Sequence, residues 1–164
     1  MAIRFNADEL LSIAEQIERN GTAFYAAAAK AVSAPDAVQL LNELSSWEHT
    51  HLETFAAMRG ALSPAERESD TYDPDHELAA YLQATADSVI FVAGQDPLAA
   101  LGACPTLEAI LQAALAREKD SIVFYTGMRD YVPPRLGRER VEAIIREEMG
   151  HVAMLHRQLA SPVG

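Results

Sequence analysis

Residues 14–25 read AEQIERNGTAFY, and a hundred positions later residues 114–125 read ALAREKDSIVFY. At this offset Ala14 meets Ala114, Glu18 meets Glu118, Phe24 meets Phe124 and Tyr25 meets Tyr125. The same offset lays WEHTH (47–51) over EEMGH (147–151), so that Glu48 matches Glu148 and His51 matches His151. Leu11 and Leu111 extend the match on the apolar side, and the register holds without a gap across two helices per half. An internal repeat of supersecondary size is the most informative pattern a sequence can carry. Here it covers residues 6–60 and 106–160, and it predicts two similar helix pairs packed about a pseudo-twofold axis.

The surrounding sequence supports helices. Asn6 followed three residues later by Glu9 forms a capping-box signature, and Leu10, Leu11, Ala14, Ile17, Phe24 and Ala28 recur at helical spacing. This first helix should run to about Val32, with Ser33, Pro35 and Asp36 starting a second that carries Val38, Leu41, Leu44, Leu52 and Phe55 and stops at Gly60. Thr106 opens a third helix to about Tyr131, Pro133-Pro134 ends it, and a fourth spans about Leu136 to Leu159. Between the halves, residues 61–105 read as a long crossover, with a turn at Ser63-Pro64-Ala65-Glu66 and a helix from Asp73-Pro74 through Leu78, Tyr81 and Leu82. The expected architecture is an all-α four-helix bundle with one long connection bearing one or two short helices, in a single domain over residues 1–164.

The repeated polar residues carry the chemistry. Successive helical residues turn about 100°, so a Glu-x-x-His pair shares one helix face. Each half then offers one such pair and one further carboxylate from the neighbouring helix. Together the halves converge four carboxylates (Glu18, Glu48, Glu118, Glu148) and two imidazoles (His51, His151) on one place. Buried without cations, four carboxylates would repel one another and be costly to desolvate. Two divalent ions cancel their charge, which favours a pair of metal ions over one. Carboxylate and imidazole ligands without thiolate suit iron, manganese or zinc, whereas calcium prefers oxygen alone. Tyr25 and Tyr125 follow their glutamates by seven residues, on the same face one layer away, where a hydroxyl can hydrogen-bond a metal-bound carboxylate.

Composition sets limits. The 164-residue chain is 49% apolar and 23% charged, a globular composition large enough for a core. A net charge of -11 argues against binding nucleic acid or an anionic membrane surface. The lone Cys104 cannot form an intrachain disulfide or an all-cysteine metal cage, and is expected to be a small buried residue. No stretch reaches the roughly 20 apolar residues of a membrane span. Asn6, Asp8 and Glu9 interrupt the order of a secretion signal, so a cytoplasmic protein is expected.

At AEQIERNGTAFY, WEHTH, ALAREKDSIVFY and EEMGH the sequence resembles the ferritin-like di-iron proteins, in particular the rubrerythrin branch. The resemblance covers the four long helices and leaves residues 61–105 largely unaccounted for. It implies a site that reacts ferrous iron with dioxygen or peroxide, Glu48 and Glu148 bridging two irons roughly 4 Å apart. Glu18 and Glu118 would be terminal ligands, with His51 and His151 on one iron each. Two departures separate the chain from rubrerythrins: it lacks the cysteines of their electron-delivering rubredoxin domain, and Ser121 stands where they tend to carry an extra glutamate. Ferroxidase or iron-handling activity thus stands beside peroxidase, with a separate electron donor and a homo-oligomer, a dimer foremost, as expected partners. A non-catalytic metal carrier or sensor and a metal-free structural bundle are the alternatives.

Other candidates are set aside. Glu15, Glu53, His49, His76, His156 and Asp120 lack repeat partners of their type and are expected on solvated faces. Glu147 faces Trp47 across the repeat, which argues against a symmetric metal role, and Met149 and Met154 are expected to pack in the core.

Overall fold

A computed structural model describes residues 6–68, 77, 80, 84, 96–102, 105–132, 134–136 and 138–160. Its long helices are α1 (Ala7–Ala31), α2 (Pro35–Gly60), α4 (Leu107–Met128) and α5 (Arg138–Ala160), with a short α3 (Pro64–Glu68) after α2. Single 3-10 turns at Ala99–Leu101, Arg129–Tyr131 and Pro134–Leu136 complete the described elements, and none of the described residues is in a strand.

Local sequence explains the helix ends. Asn6 accepts from the Glu9 backbone N–H while the Glu9 carboxylate accepts from the Asn6 backbone N–H, the reciprocal cap that the sequence predicts. Helix α2 begins differently from expectation: its N-cap is Ala34, with no side-chain cap, and Ser33 lies one position too early. Proline disfavours helical backbone in the residue before it, so Pro35 holds Ala34 extended (φ -68°, ψ 119°) and starts the helix itself. Ser63 and Glu66 form a second reciprocal cap on α3, and Thr106 caps α4 through the Ala109 N–H. The predicted helix at 73–82 and the place of Cys104 and His76 lie outside the described residues, although Glu77, Ala80 and Ala84 are helical and exposed.

Helix α1 packs chiefly on α2, and α4 on α5, which reproduces the two hairpins of the repeat. Two apolar clusters fill the bundle. One joins the start of α1 and α5 to the ends of α2 and α4 through Leu10, Leu11, Phe55, Met58, Met128 and Val141. The other joins the opposite ends through Phe24, Ala28, Leu41, Leu44, Ile110 and Leu155. Each fully buried leucine or phenylalanine contributes about 1.5–3 kcal/mol, so these layers supply the main driving force. Helix α2 therefore ends at one end of the bundle and α4 starts at the other, so the two run in the same direction. Leu98, near the end of the connection between them, is buried in the second cluster. Arg59 at the end of α2 grips both Asp8 carboxylate oxygens at 3.1 and 3.2 Å, and Arg67 of α3 joins the same carboxylate. These ties lock the first hairpin and α3 at one end, leaving the polar residues of the middle layer between two apolar ones.

Candidate metal centre

All six residues singled out by the repeat lie in that middle layer. Glu18 comes from α1, Glu48 and His51 from α2, Glu118 from α4, and Glu148 and His151 from α5, each no more than 5% exposed. Their ligand-type atoms form two groups, Glu18–Glu48–His51–Glu148 and Glu48–Glu118–Glu148–His151, with the atoms of each within 4.8 Å of one another. Glu48 and Glu148 belong to both groups. Glu148 shows why: its Oε1 lies 2.9 Å from His51 Nδ1 and its Oε2 lies 2.8 Å from His151 Nδ1. Glu18 Oε2 completes one side at 3.7 Å from His51 Nδ1, and Glu118 Oε2 the other at 3.6 Å from His151 Nδ1.

Buried polar atoms almost always find partners, yet Glu18 Oε2, Glu48 Oε1, His51 Nδ1 and Glu148 Oε1 make no hydrogen bond. They converge on one place without satisfying one another. Oxygens and an imidazole nitrogen aimed inward this way are a donor set suited to cations.

The charge state of the cluster reflects the same crowding. Burial, reinforced by the neighbouring carboxylates, pushes Glu48 well above the usual range. Burial likewise raises Glu118 to about 8. Burial alone would discharge the imidazoles, but the Glu148 and Glu18 carboxylates facing His51 raise it to about 11. Glu118 and Glu148 raise His151 to about 9 in the same way. Glu148 itself, although buried, is held low because both imidazoles face its carboxylate, His151 through a hydrogen bond. Without metal, therefore, protons stand where divalent cations would neutralise the carboxylates.

The two tyrosines act across the bundle. The sequence places each on the face of its own glutamate. In the structure Tyr25 of α1 donates to Glu118 of α4, and Tyr125 of α4 donates to Glu18 of α1. The reason is the direction of the side chain: seven residues on, the ring points at the neighbouring helix rather than back along its own. Burial and the adjacent carboxylates raise both hydroxyls, so they remain donors.

Several contributors escape a reading for repeated residues because they do not repeat. Glu147 Oε2 lies 2.9 Å from His51 Nε2. At the equivalent position Trp47 stacks on His151, with ring centroids 4.9 Å apart and planes 9° from parallel. Positions 47 and 147 thus each serve the imidazole of the opposite hairpin, a role that the mismatch of residue types conceals. Gly21 admits the Glu48 carboxylate: a Cβ there would stand 2.1 Å from Glu48 Oε2. Its counterpart Ser121 is buried and donates to the Glu118 backbone carbonyl. A cavity of about 10 Å³, the space of roughly one water, is lined by Ile17, Tyr25, Glu48, Arg117, Glu118 and Ser121.

Of the residues set aside, His49, Glu53, Asp120 and His156 are exposed as expected. Glu15 is not on a solvated face: it is mostly buried and 3.5 Å from Arg59. Met149 is not in the core but 56% exposed, because it sits on the face of α5 opposite the buried Glu148 and His151 stripe. None of the described helices is long and apolar enough to cross a membrane.

No family model matches the sequence, and no curated protein does. Among solved structures, the fold is similar to that of a Thermotoga maritima protein proposed to be a ferritin-like diiron-carboxylate protein. The TM-score is 0.71 over 96% of this chain and 97% of that one, at 21% identity. The chain therefore has a ferritin-like all-α bundle fold, and its middle layer holds a buried glutamate and histidine cluster suited to two metal ions.

Proposed function

We propose that this bundle holds two metal ions, iron foremost, and uses them to oxidise ferrous iron or to reduce dioxygen or peroxide; manganese is the redox-active alternative, whereas zinc, which has no redox chemistry, would fit only a carrier or structural role. The observation that carries the reading is the pair of ligand groups sharing Glu48 and Glu148, with four buried inward-facing atoms left without hydrogen bonds. Glu18 and His51 would complete one position, Glu118 and His151 the other, and Glu48 and Glu148 would span both. The structural neighbour's proposed diiron-carboxylate character points the same way.

When bound, two neighbouring redox ions would let both electrons reach one oxidant from a single site. The protein's part is preparation. Four carboxylates offset two divalent charges with both imidazoles neutral, so loading displaces the protons held at Glu48, Glu118, His51 and His151. Tyr25 and Tyr125 fix Glu118 and Glu18 from behind, and the apolar layers above and below limit water. A separate electron donor and assembly as a homodimer belong to the same proposal.

Metal analysis of protein purified without chelator tests it, with the Glu48→Ala/Glu148→Ala double variant beside it. About two iron or manganese ions per chain, absent from the variant, are expected, followed by oxidant consumption on ferrous loading. Binding of two ions with no turnover would instead assign a carrier or sensor. A wild type that stays empty after anaerobic ferrous loading would refute the metal reading and leave a duplicated structural bundle.

A further inference from the structure

The ligands repeat, but what surrounds them does not. Around the His51 position stands an added anion: the Glu147 carboxylate, on the rim with its side chain 56% exposed, 2.9 Å from His51 Nε2. A carboxylate on the far nitrogen of a ligating imidazole fixes the tautomer that leaves Nδ1 free, orients the ring and raises its basicity. Around the His151 position the equivalent residue is Trp47, an uncharged ring stacked on the imidazole face. There the added charge is positive. Arg117, the counterpart of Ile17, precedes Glu118, lines the small cavity with Glu48, Glu118 and Ser121, and lies over the Phe24 ring at 5.1 Å. A guanidinium positioned near Glu48 and Glu118 opposes a metal cation held by them, because like charges repel most strongly where water is scarce. Both departures from symmetry therefore act in one direction.

We propose that the two metal positions are inequivalent by construction, the His51 position taking a divalent cation first and tightly, the His151 position second and more weakly. The inference rests on the dinuclear reading above and adds an order of loading to it. Glu147 and Arg117 are positioning and tuning residues here, since neither belongs to the ligand groups. Trp47 gives a convenient signal: it is the chain's one tryptophan, it is 36% exposed and it touches a ligand, so its fluorescence reports occupancy without a label.

The test is titration of the metal-free full chain with Co(II), followed by calorimetry, cobalt absorption and Trp47 emission, with helix content checked for each variant. The wild type should bind in two steps at least tenfold apart in affinity. Glu147→Ala should weaken the first step by about 10–100-fold, the range for losing a partner of a ligating histidine, and leave the second unchanged. Glu147→Gln should recover part of that loss, because an amide oxygen still accepts from Nε2–H. Arg117→Gln should strengthen the second step severalfold and spare the first. Two steps of equal affinity, or Glu147→Ala acting on the weaker step, would overturn the assigned order while leaving a dinuclear site intact. A wild type that binds no cobalt would overturn the dinuclear reading and this inference together.

Discussion

Gly21→Ala should strengthen the metal-free fold slightly and yet damage metal binding. Gly21 sits inside α1, where glycine costs about 1 kcal/mol relative to alanine, so alanine at an unobstructed site would stabilise by up to that amount. The nearest atoms to an added methyl are Glu48 Oε2 at 2.1 Å, Cδ at 2.9 Å and Cγ at 3.2 Å. All belong to the far end of a flexible side chain, which can swing away by about 1 Å or more without moving backbone. That swing displaces a carboxylate belonging to both ligand groups, so both ions should bind more weakly, by about tenfold or more. Thermal melts of the metal-free variant should show a midpoint unchanged or raised by about 2–4 °C, the equivalent of 1 kcal/mol in a domain this size. Melts with excess Co(II) should lose much of the metal-induced rise seen in wild type. Ser121→Gly is the control: it touches the equivalent position but removes a hydroxymethyl group whose hydroxyl bonds a backbone carbonyl, and it puts a glycine inside α4, so it should cost stability and spare affinity. If Gly21→Ala bound two Co(II) ions as tightly as wild type, the account of Gly21 as the seat of Glu48 would be wrong. A metal-free midpoint lowered by many degrees would show the strain falling on the backbone instead.

Other consequences can be checked on the same material. In the metal-free protein, stability should fall as pH rises from about 5 to 9. Glu118, raised to about 8, and His151, raised to about 9, hold protons that the unfolded chain releases near 4.5 and 6.5, so their stabilisation is lost as pH climbs through the folded values. Each such proton steepens the slope by about 1.4 kcal/mol per pH unit; a midpoint rising with pH over this window would contradict the sign. Metal affinity should move the other way, growing with pH, and calorimetry in buffers of different ionisation enthalpy should reveal protons released on loading. Tyr25→Phe and Tyr125→Phe should each destabilise the metal-free chain by about 1–3 kcal/mol by leaving a buried carboxylate oxygen without its donor. A double-mutant cycle should couple Tyr25 to Glu118 and not to Glu18, and the reverse coupling would disprove the crossed pairing.

The two halves of the bundle and the place of the six central residues were legible because both helix pairs carry the same spacing, a Glu followed by Phe-Tyr on one helix and Glu-x-x-His on the next, and packing the pairs together buries those matching positions in one layer. Periodicity placed the apolar stripe of α1 as well, with Leu10, Leu11, Ala14, Ile17, Phe24 and Ala28 all buried. What periodicity cannot give is the partner helix. It set Tyr25 and Tyr125 on the correct face without saying which glutamate each serves, because helix face is a local property and helix neighbour is not. Trp47, Glu147, Gly21 and Arg117 were hidden for another reason: their work is done from outside the ligand set, where two different side chains can serve matching positions. The start of α2 was missed by one residue, where the constraint of Pro35 on Ala34 outweighed the capping preference of Ser33.

The crossed tyrosine bonds bear on how such a chain can arise. A lone two-helix hairpin of this type has no hydroxyl for its own glutamate, since Tyr25 serves Glu118 and Tyr125 serves Glu18. Two identical hairpins around a twofold axis would supply that bond to each other, but every residue would then be obliged to suit both sides at once. Fusion into one chain lifts that obligation. Tryptophan can then face one imidazole and glutamate the other, glycine can yield to one carboxylate while serine fills the matching place, and a site inherited as two equal halves becomes free to specialise.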